Sequence, residues 1–181
     1  MTSKLEQEVK LCVADVAEAL RRVEALERVV IARERHFEDN VLYDRDGQLY
    51  EKGEILRLRR TPHGALVTFK GPHAGAAGVK TREEIELEVD PEAAELLFLR
   101  LGFERRYRYQ KYRTVFRWRE VEIVIDETPM GCYLEVEGAP AGIDEAVAAL
   151  GFASADRVTA SYLELHARSG GAGDLMFEPG E

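Results

Sequence analysis

Strand after strand of this chain carries an ionisable side chain at every second position. In Glu6-Gln7-Glu8-Val9-Lys10 the side chains alternate across an extended backbone, so Glu6, Glu8 and Lys10 share one face while Gln7, Val9 and Leu11 share the other. The same period of two joins Arg57 to Arg59, Arg82 to Glu84 and Glu86, Lys111 to Arg113, and Glu135 to Glu137, with Lys70 and Asp126 standing on strands of their own. The opposite faces are apolar: Leu56 and Leu58, Ile85, Leu87 and Val89, Ile123 and Ile125, Leu134 and Val136. One such strand belongs to any half-solvated antiparallel sheet. A solvated sheet face, however, mixes in Thr, Gln and Ser, whereas this one collects seven cations and seven carboxylates. A sheet that closes on itself can turn that face inward as a polar tunnel and leave its apolar exterior for helices to cover.

The helices are available. Asp15 can cap a helix running to about Arg28, with Val16, Leu20, Val23 and Leu26 at helical spacing. Asp90-Pro91 opens a second helix through Leu101, stopped by Gly102, and a third spans about Ile143 to Leu150 before Gly151. Strand signals occupy Val29–Tyr43, Gly53–Arg60, Ala65–Lys70, Lys80–Val89, Arg105–Glu120, Val121–Asp126 and Cys132–Glu137. Ser161–His166 closes the fold as a short element of either type. The fold class expected is α+β, one domain over residues 1–168, followed by a Gly-rich, weakly apolar tail at 169–181 that reads as disordered.

Charges in a tunnel are costly unless partnered, so the lumen must neutralise itself or hold an ionic ligand. Arg forks and Lys ammonium groups suit phosphate oxygens. Carboxylate pairs suit Mg²⁺ or Mn²⁺, hard cations that take oxygen ligands and bridge protein carboxylates to substrate phosphates. A linear polyphosphate carrying metal ions satisfies both sets at once.

The bulk charge narrows the partners. Lys and Arg total 25 against 34 Asp and Glu, a formal charge of −9, which argues against a nucleic-acid or anionic-membrane surface. Apolar runs fall short of the ~20 residues that span a bilayer, and Met1-Thr2-Ser3-Lys4 leads into the first strand, so a cytoplasmic location is expected. Cys12 and Cys132 lack zinc-ligand or CxxC spacing and read as packing residues.

The blocks carry a resemblance. Glu6-Gln7-Glu8-Val9-Lys10 is similar to the ExExK signature of the CYTH superfamily of triphosphate tunnel metalloenzymes, which includes class IV adenylyl cyclases and thiamine triphosphatases. His36-Phe37-Glu38-Asp39-Asn40, Leu56-Arg57-Leu58-Arg59, Thr68-Phe69-Lys70-Gly71-Pro72, Thr81-Arg82-Glu83-Glu84-Ile85-Glu86, Lys111-Tyr112-Arg113, Ile125-Asp126-Glu127, Leu134-Glu135-Val136-Glu137 and Ser161-Tyr162-Leu163-Glu164-Leu165 resemble family blocks in the same order, from about Leu5 to His166. The resemblance implies an eight-stranded antiparallel β-barrel tunnel, with helices packed on its outside, that binds triphosphate groups with Mg²⁺ or Mn²⁺. Matched residue by residue, it makes Glu6, Glu8, Asp126, Glu135 and Glu137 metal ligands or their close supports. Lys10, Arg57, Arg59, Lys70, Lys111 and Arg113 become phosphate contacts, Arg82, Glu84 and Glu86 wall or substrate contacts, and Lys70 and Asp126 the catalytic pair. Ala160 stands where relatives often have arginine, and Met130-Gly131-Cys132 where cyclase-like members have a Gly-Leu-Gly turn. Both departures concern the non-phosphate end of the substrate.

Block order leans toward the cyclase-like branch, in which ATP yields cyclic AMP and pyrophosphate. The alternative is hydrolysis of thiamine, inorganic or nucleoside triphosphate, and a second is non-enzymatic triphosphate binding. Partners are thus a small triphosphate (ATP, thiamine triphosphate or tripolyphosphate) and neither nucleic acid nor membrane, with long strands and an apolar exterior compatible with a homodimer. Other features carry less. Residues 71–78 lack the adjacent Gly-Lys of a Walker loop and read as a strand connector that could fold over the tunnel mouth. His36, His63, His73 and His166 share no metal-ligand spacing, the Tyr/Arg run 105–113 reads as barrel wall, and Trp118 and Ser161 read as an anchor and a cap.

Overall fold

The computed structural model describes residues 4–74 and 79–178. Among the described residues nine strands and five α-helices follow in the order β1 (Lys4–Val13), α1 (Val16–Glu24), β2 (Val30–Asp44), α2 (Gln48–Lys52), β3 (Ile55–Thr61), β4 (Gly64–Lys70), β5 (Lys80–Val89), α3 (Pro91–Arg100), β6 (Glu104–Trp118), β7 (Val121–Thr128), β8 (Gly131–Glu137), α4 (Pro140–Ala149), β9 (Arg157–Val158) and α5 (Tyr162–Arg168). Eight strands run antiparallel in the order β5-β4-β3-β2-β6-β7-β8-β1, and β1 returns to β5 to close the barrel. The closure is staggered: β1 meets β5 from Lys4 to Glu8, and the two-residue β9 takes over beside Lys10 and Leu11. The expected α+β barrel is therefore present, with its helices outside.

Alternation decides what faces where. Val9, Leu11 and Val13 of β1, Ile123 and Ile125 of β7, and Leu134 and Val136 of β8 point outward into a core closed by Ala19 and Val23 of α1 and by Ile143, Ala146, Val147 and Leu150. A second exterior cluster joins Val41, Tyr43 and Leu58 to Ala94 and Phe98 of α3. Local chemistry holds the helix starts. Asp15 accepts from Glu18 N at 2.7 Å while Glu18 accepts from Ala14 N at 2.9 Å, and Asp90 accepts from Ala93 N at 2.8 Å ahead of Pro91. No described helix is long and apolar enough to cross a membrane.

The structure adjusts or completes the sequence reading at four points. α1 ends at Glu24 because the chain turns through Leu26, which donates to Val23 O, and Arg28 takes φ +63°. α2, five residues between left-handed Gly47 and Gly53, is too short to show a helical period. The closing element is helical, α5, with a reciprocal Ser161–Glu164 cap. The C-terminal stretch read as disordered has order where it is described: Leu175 is buried and bridges to Tyr109 of β6. Composition undervalued it because a single leucine and two backbone hydrogen bonds suffice to seat it. The final residues of the tail, 179–181, and the second half of the 71–78 connector, 75–78, lie outside the described residues.

Candidate active site

The barrel's interior is a cavity of about 920 Å³. Every second residue of six strands opens onto it: Glu6, Glu8 and Lys10 from β1, Arg57 and Arg59 from β3, Lys70 from β4, Arg82, Glu84 and Glu86 from β5, Lys111 and Arg113 from β6, and Glu135 and Glu137 from β8. Of the fourteen charges singled out in the sequence, Asp126 alone does not line the space; it lies beneath the wall, fully buried.

These charges are sorted into two sets. In the first, cations and carboxylates hold each other. Asp126 accepts from Lys111 Nζ at 2.8 Å, from both Arg113 donors at 2.7 and 2.6 Å, and from Tyr162 Oη at 2.8 Å. Glu135 takes Arg113 at 2.6 Å and Lys10 at 2.9 Å. Burial alone would raise the Glu135 carboxyl, but Lys10, Arg113 and Lys111 outweigh it and hold it well below the carboxylate range. Lys70 Nζ grips both Glu6 oxygens at 2.6 and 2.8 Å.

The second set is carboxylates crowded together. Glu6, Glu8 and Glu137 bring oxygens within 4.8 Å of one another. Burial first, then the charges of Glu6, Glu8 and Glu135 against the opposing Arg113, push the Glu137 carboxyl up to about 7. Glu84 is likewise pushed up to about 7 by burial and by Glu6, against the pull of Lys70. Buried like charges of this kind are relieved by a cation, and an all-oxygen donor set fits a hard divalent ion such as Mg²⁺ or Mn²⁺. The structure thus brings together three of the five carboxylates expected to serve metal, Glu6, Glu8 and Glu137, while Glu135 and Asp126 are engaged by Lys10, Lys111 and Arg113.

Several buried polar residues on the same strand faces were not assigned from sequence. Glu38 and Asn40 of β2 are completely buried, and both polar atoms of each side chain lack a hydrogen-bond partner among the described residues, as do Nε of Arg57, Arg59 and Arg82. Glu38 has Lys111 and Arg59 at 3.6 Å, a spacing that leaves its oxygens short of a direct hydrogen bond. Orphaned polar atoms of this density belong to a wall that meets a polar guest or water. The signal was present: Glu38 and Asn40 stand two apart on the face that carries Leu42. Lys80, two residues before Arg82, also turns inward beside Glu8 at 3.8 Å, and burial together with Lys10 lowers it to about 8.

At the end formed by α2, the start of β3 and the start of β6, the lining combines Leu42, Leu49, Tyr50, Ile55 and Tyr107, joined by Leu163 of α5, with the charged Asp44, Glu51, Glu54 and Arg106. Next to this lie Tyr109, which accepts from Arg57 at 3.3 Å, and Tyr162, whose ring Lys10 Nζ overlies at 4.2 Å. An ionic lumen whose end mixes aliphatic and aromatic side chains with a few charged ones can take a polyanion carrying an organic end.

Comparison with known proteins agrees with this geometry. The family model for the CYTH domain matches residues 4–162. A Methanocaldococcus jannaschii protein named "putative adenylate cyclase" is 28% identical over 174 residues, covering 89% of this chain and 98% of its own. Among solved structures, a "putative adenylate cyclase" from Vibrio parahaemolyticus superposes with a TM-score of 0.79 at 23% identity, covering 92% of this chain and 99% of the other. A Hippeastrum protein described as a putative adenylyl cyclase with a dominant triphosphatase activity superposes at 0.69 with 20% identity, covering 92% and 97%.

Proposed function

Because the chain belongs to the CYTH domain family, we propose that it is a metal-dependent enzyme acting on the triphosphate group of an organic substrate, in the cyclase sense converting ATP to cyclic AMP and pyrophosphate. The observation that carries this reading is the meeting, in one cavity, of the Glu6–Glu8–Glu137 oxygens with the cationic wall of Arg57, Arg59, Lys111 and Arg113. The aliphatic and aromatic side chains at one end of the cavity support an organic triphosphate over an inorganic one, since tripolyphosphate has nothing to place against Leu42, Ile55 and Tyr107.

The residues divide the work. Glu6, Glu8 and Glu137 would hold Mg²⁺ or Mn²⁺, with Glu135 in support. When bound, such an ion supplies Lewis-acid polarisation of phosphoryl oxygens and charge neutralisation. Arg57, Arg59, Lys111 and Arg113 bind the phosphate oxygens and stabilise the charge that gathers on the leaving group, as preorganised donors in a water-restricted site do. Lys10, Arg82, Glu84 and Glu86 shape the wall. Lys70 leaves Glu6 for a phosphate oxygen when substrate enters. Asp126, locked beneath Lys111 and Arg113, keeps those two cations aimed into the lumen. In the cyclase reaction the ribose 3′-hydroxyl passes its proton to water, its oxygen bonds to the α-phosphorus, and the bond from that phosphorus to the α–β bridging oxygen breaks, releasing pyrophosphate.

A second reading has water as the nucleophile at the γ-phosphorus, giving orthophosphate and the diphosphate. It is favoured by the volume of the cavity, about 920 Å³, which leaves room for water beside a triphosphate chain. Incubating purified protein with ATP and Mn²⁺, and separately with tripolyphosphate, followed by product analysis, separates the two. Cyclic AMP with pyrophosphate supports the first, orthophosphate without cyclic AMP replaces it with the second, and no turnover of either substrate rejects both.

A further inference from the structure

The CYTH match ends at residue 162, yet the chain beyond it returns to the site. β6 outruns its neighbour, pairing with β7 only from Tyr112 to Trp118 and leaving the edge of residues 104–111 to other partners. Residues 174–177 lie along that edge. Leu175 N donates to Arg108 O and Gln110 N to Leu175 O, both at 2.9 Å, and Arg108 N donates to Asp174 Oδ1 at 2.8 Å. Phe177 N donates to Gln110 Oε1 at 3.3 Å and its ring stands 5.3 Å from that of Tyr112. The route depends on glycine. Gly170 and Gly173 take φ of +83° and +78°, and a Cβ on Gly171 would fall 1.9 Å from the His166 ring. The composition that suggests disorder is what permits this path.

What the segment covers is chemically specific. Leu175, 5% exposed, completes a cluster with Tyr107, Tyr109, Tyr133 and Tyr162. Two of these tyrosines are bonded into the ionic lumen: the hydroxyl of Tyr109 accepts from Arg57, and that of Tyr162 donates to Asp126. Packing at Leu175 is therefore continuous with the orientation of a phosphate-facing arginine and of the carboxylate that aims Lys111 and Arg113.

We propose that Leu175, held by the 174–177 strap, is a positioning residue that seats Tyr109 and Tyr162, and that through them the strap maintains the cationic wall for a triphosphate. The ligand in this statement rests on the function proposed above; the seating of the tyrosines does not.

The test compares the full chain with Leu175→Asp and with Leu175→Ile, reading two things. The first is nitration of individual tyrosines by tetranitromethane, mapped by mass spectrometry, which needs no activity. The second is KM and kcat for ATP at fixed Mn²⁺. Leu175→Asp should raise nitration of Tyr109 several-fold and raise KM about tenfold, the scale of one hydrogen bond to a charged group, with kcat changed less than about threefold; Leu175→Ile should restore both. Gly171→Val, which meets His166 before Leu175 is reached, dislodges the strap without adding a charge and should reproduce the aspartate's effects if that variant folds poorly. Unchanged nitration in both variants overturns the seating. Increased nitration with an unchanged KM leaves the strap a mere cover and overturns the positioning role. Should the intact chain neither bind nor turn over ATP or tripolyphosphate with Mn²⁺, the triphosphate reading has failed, and the nitration map alone decides whether the strap seats Tyr109.

Discussion

Lys70→Ala separates a latch from a simple phosphate contact. Lys70 Nζ meets both oxygens of Glu6 at 2.6 and 2.8 Å and stands 3.8 Å from Glu84. The three side chains are 14%, 7% and 5% exposed, so neither carboxylate has bulk water to fall back on. At an effective dielectric of ~20 the closer pair is worth roughly 5 kcal/mol before desolvation is subtracted. Removing one partner of a buried pair commonly costs ~3–5 kcal/mol. With water able to enter a lumen this wide, we expect a loss of about 2 kcal/mol, or a fall in Tm of roughly 4–8 °C for a chain of this length. The effect on metal has the opposite sign. Lys70 competes for Glu6, so its removal should tighten Mn²⁺ binding in the absence of triphosphate by about tenfold, or ~1.4 kcal/mol. Triphosphate affinity should weaken by a similar factor at saturating Mn²⁺. Thermal denaturation without metal, Mn²⁺ titration followed by electron paramagnetic resonance, and calorimetric titration with tripolyphosphate read the three quantities. Weaker Mn²⁺ binding with an unchanged Tm would refute the latch, because a cation that does not compete for Glu6 cannot release it.

Three further outcomes follow from the same geometry. Asp126→Asn leaves Lys111 and Arg113 buried without their shared anion and should cost ~3–5 kcal/mol in urea unfolding, while weakening Mn²⁺ binding less than Glu137→Gln does; the reverse order would return Asp126 to the metal. Glu137→Gln should raise the Tm of the metal-free protein at pH 8, since it removes a carboxyl that burial, Glu6 and Glu8 hold at about 7, and a lower Tm would count against carboxylate crowding. The pH profile carries its own sign. Glu84 and Glu137 have folded pKa values raised to about 7, so their contribution to stability is complete below the unfolded carboxylate range near 4.5 and is lost as pH rises through 7. The metal-free Tm should therefore fall between pH 5 and 8 and recover on adding Mn²⁺; a flat profile would mean that these carboxylates are not crowded.

The period of two made most of the lumen legible, because alternation in a strand is a matter of backbone geometry and survives any detail of packing. What it could not reveal was which charges would meet. Lys70 pairs in register with Glu84, yet its ammonium reaches Glu6 on the strand beyond; that choice depends on the stagger with which β1 closes onto β5, a property of the whole barrel. For the same reason alternation did not show that Asp126 and Glu135 would be held by Lys111, Arg113 and Lys10. Glu38 and Asn40 were visible as a spacing but not as a problem, since an unpartnered polar atom is a fact about neighbours, not about sequence.

The pairing also bears on how a ligand could enter. At Lys70, Lys111 and Arg113, already held by carboxylates, the lumen offers a bare anion little, because there a new hydrogen bond to a phosphate oxygen breaks an ion pair and strands a buried charge. A divalent ion alone faces the same difficulty at Glu6, where Lys70 is in place. Brought together, the ion takes the carboxylates as the phosphates take the released ammonium and guanidinium groups, and no charge is left without a partner. The architecture accordingly favours a metal–triphosphate complex over either component, a selectivity that each component's affinity measured with and without the other would expose as reciprocal strengthening.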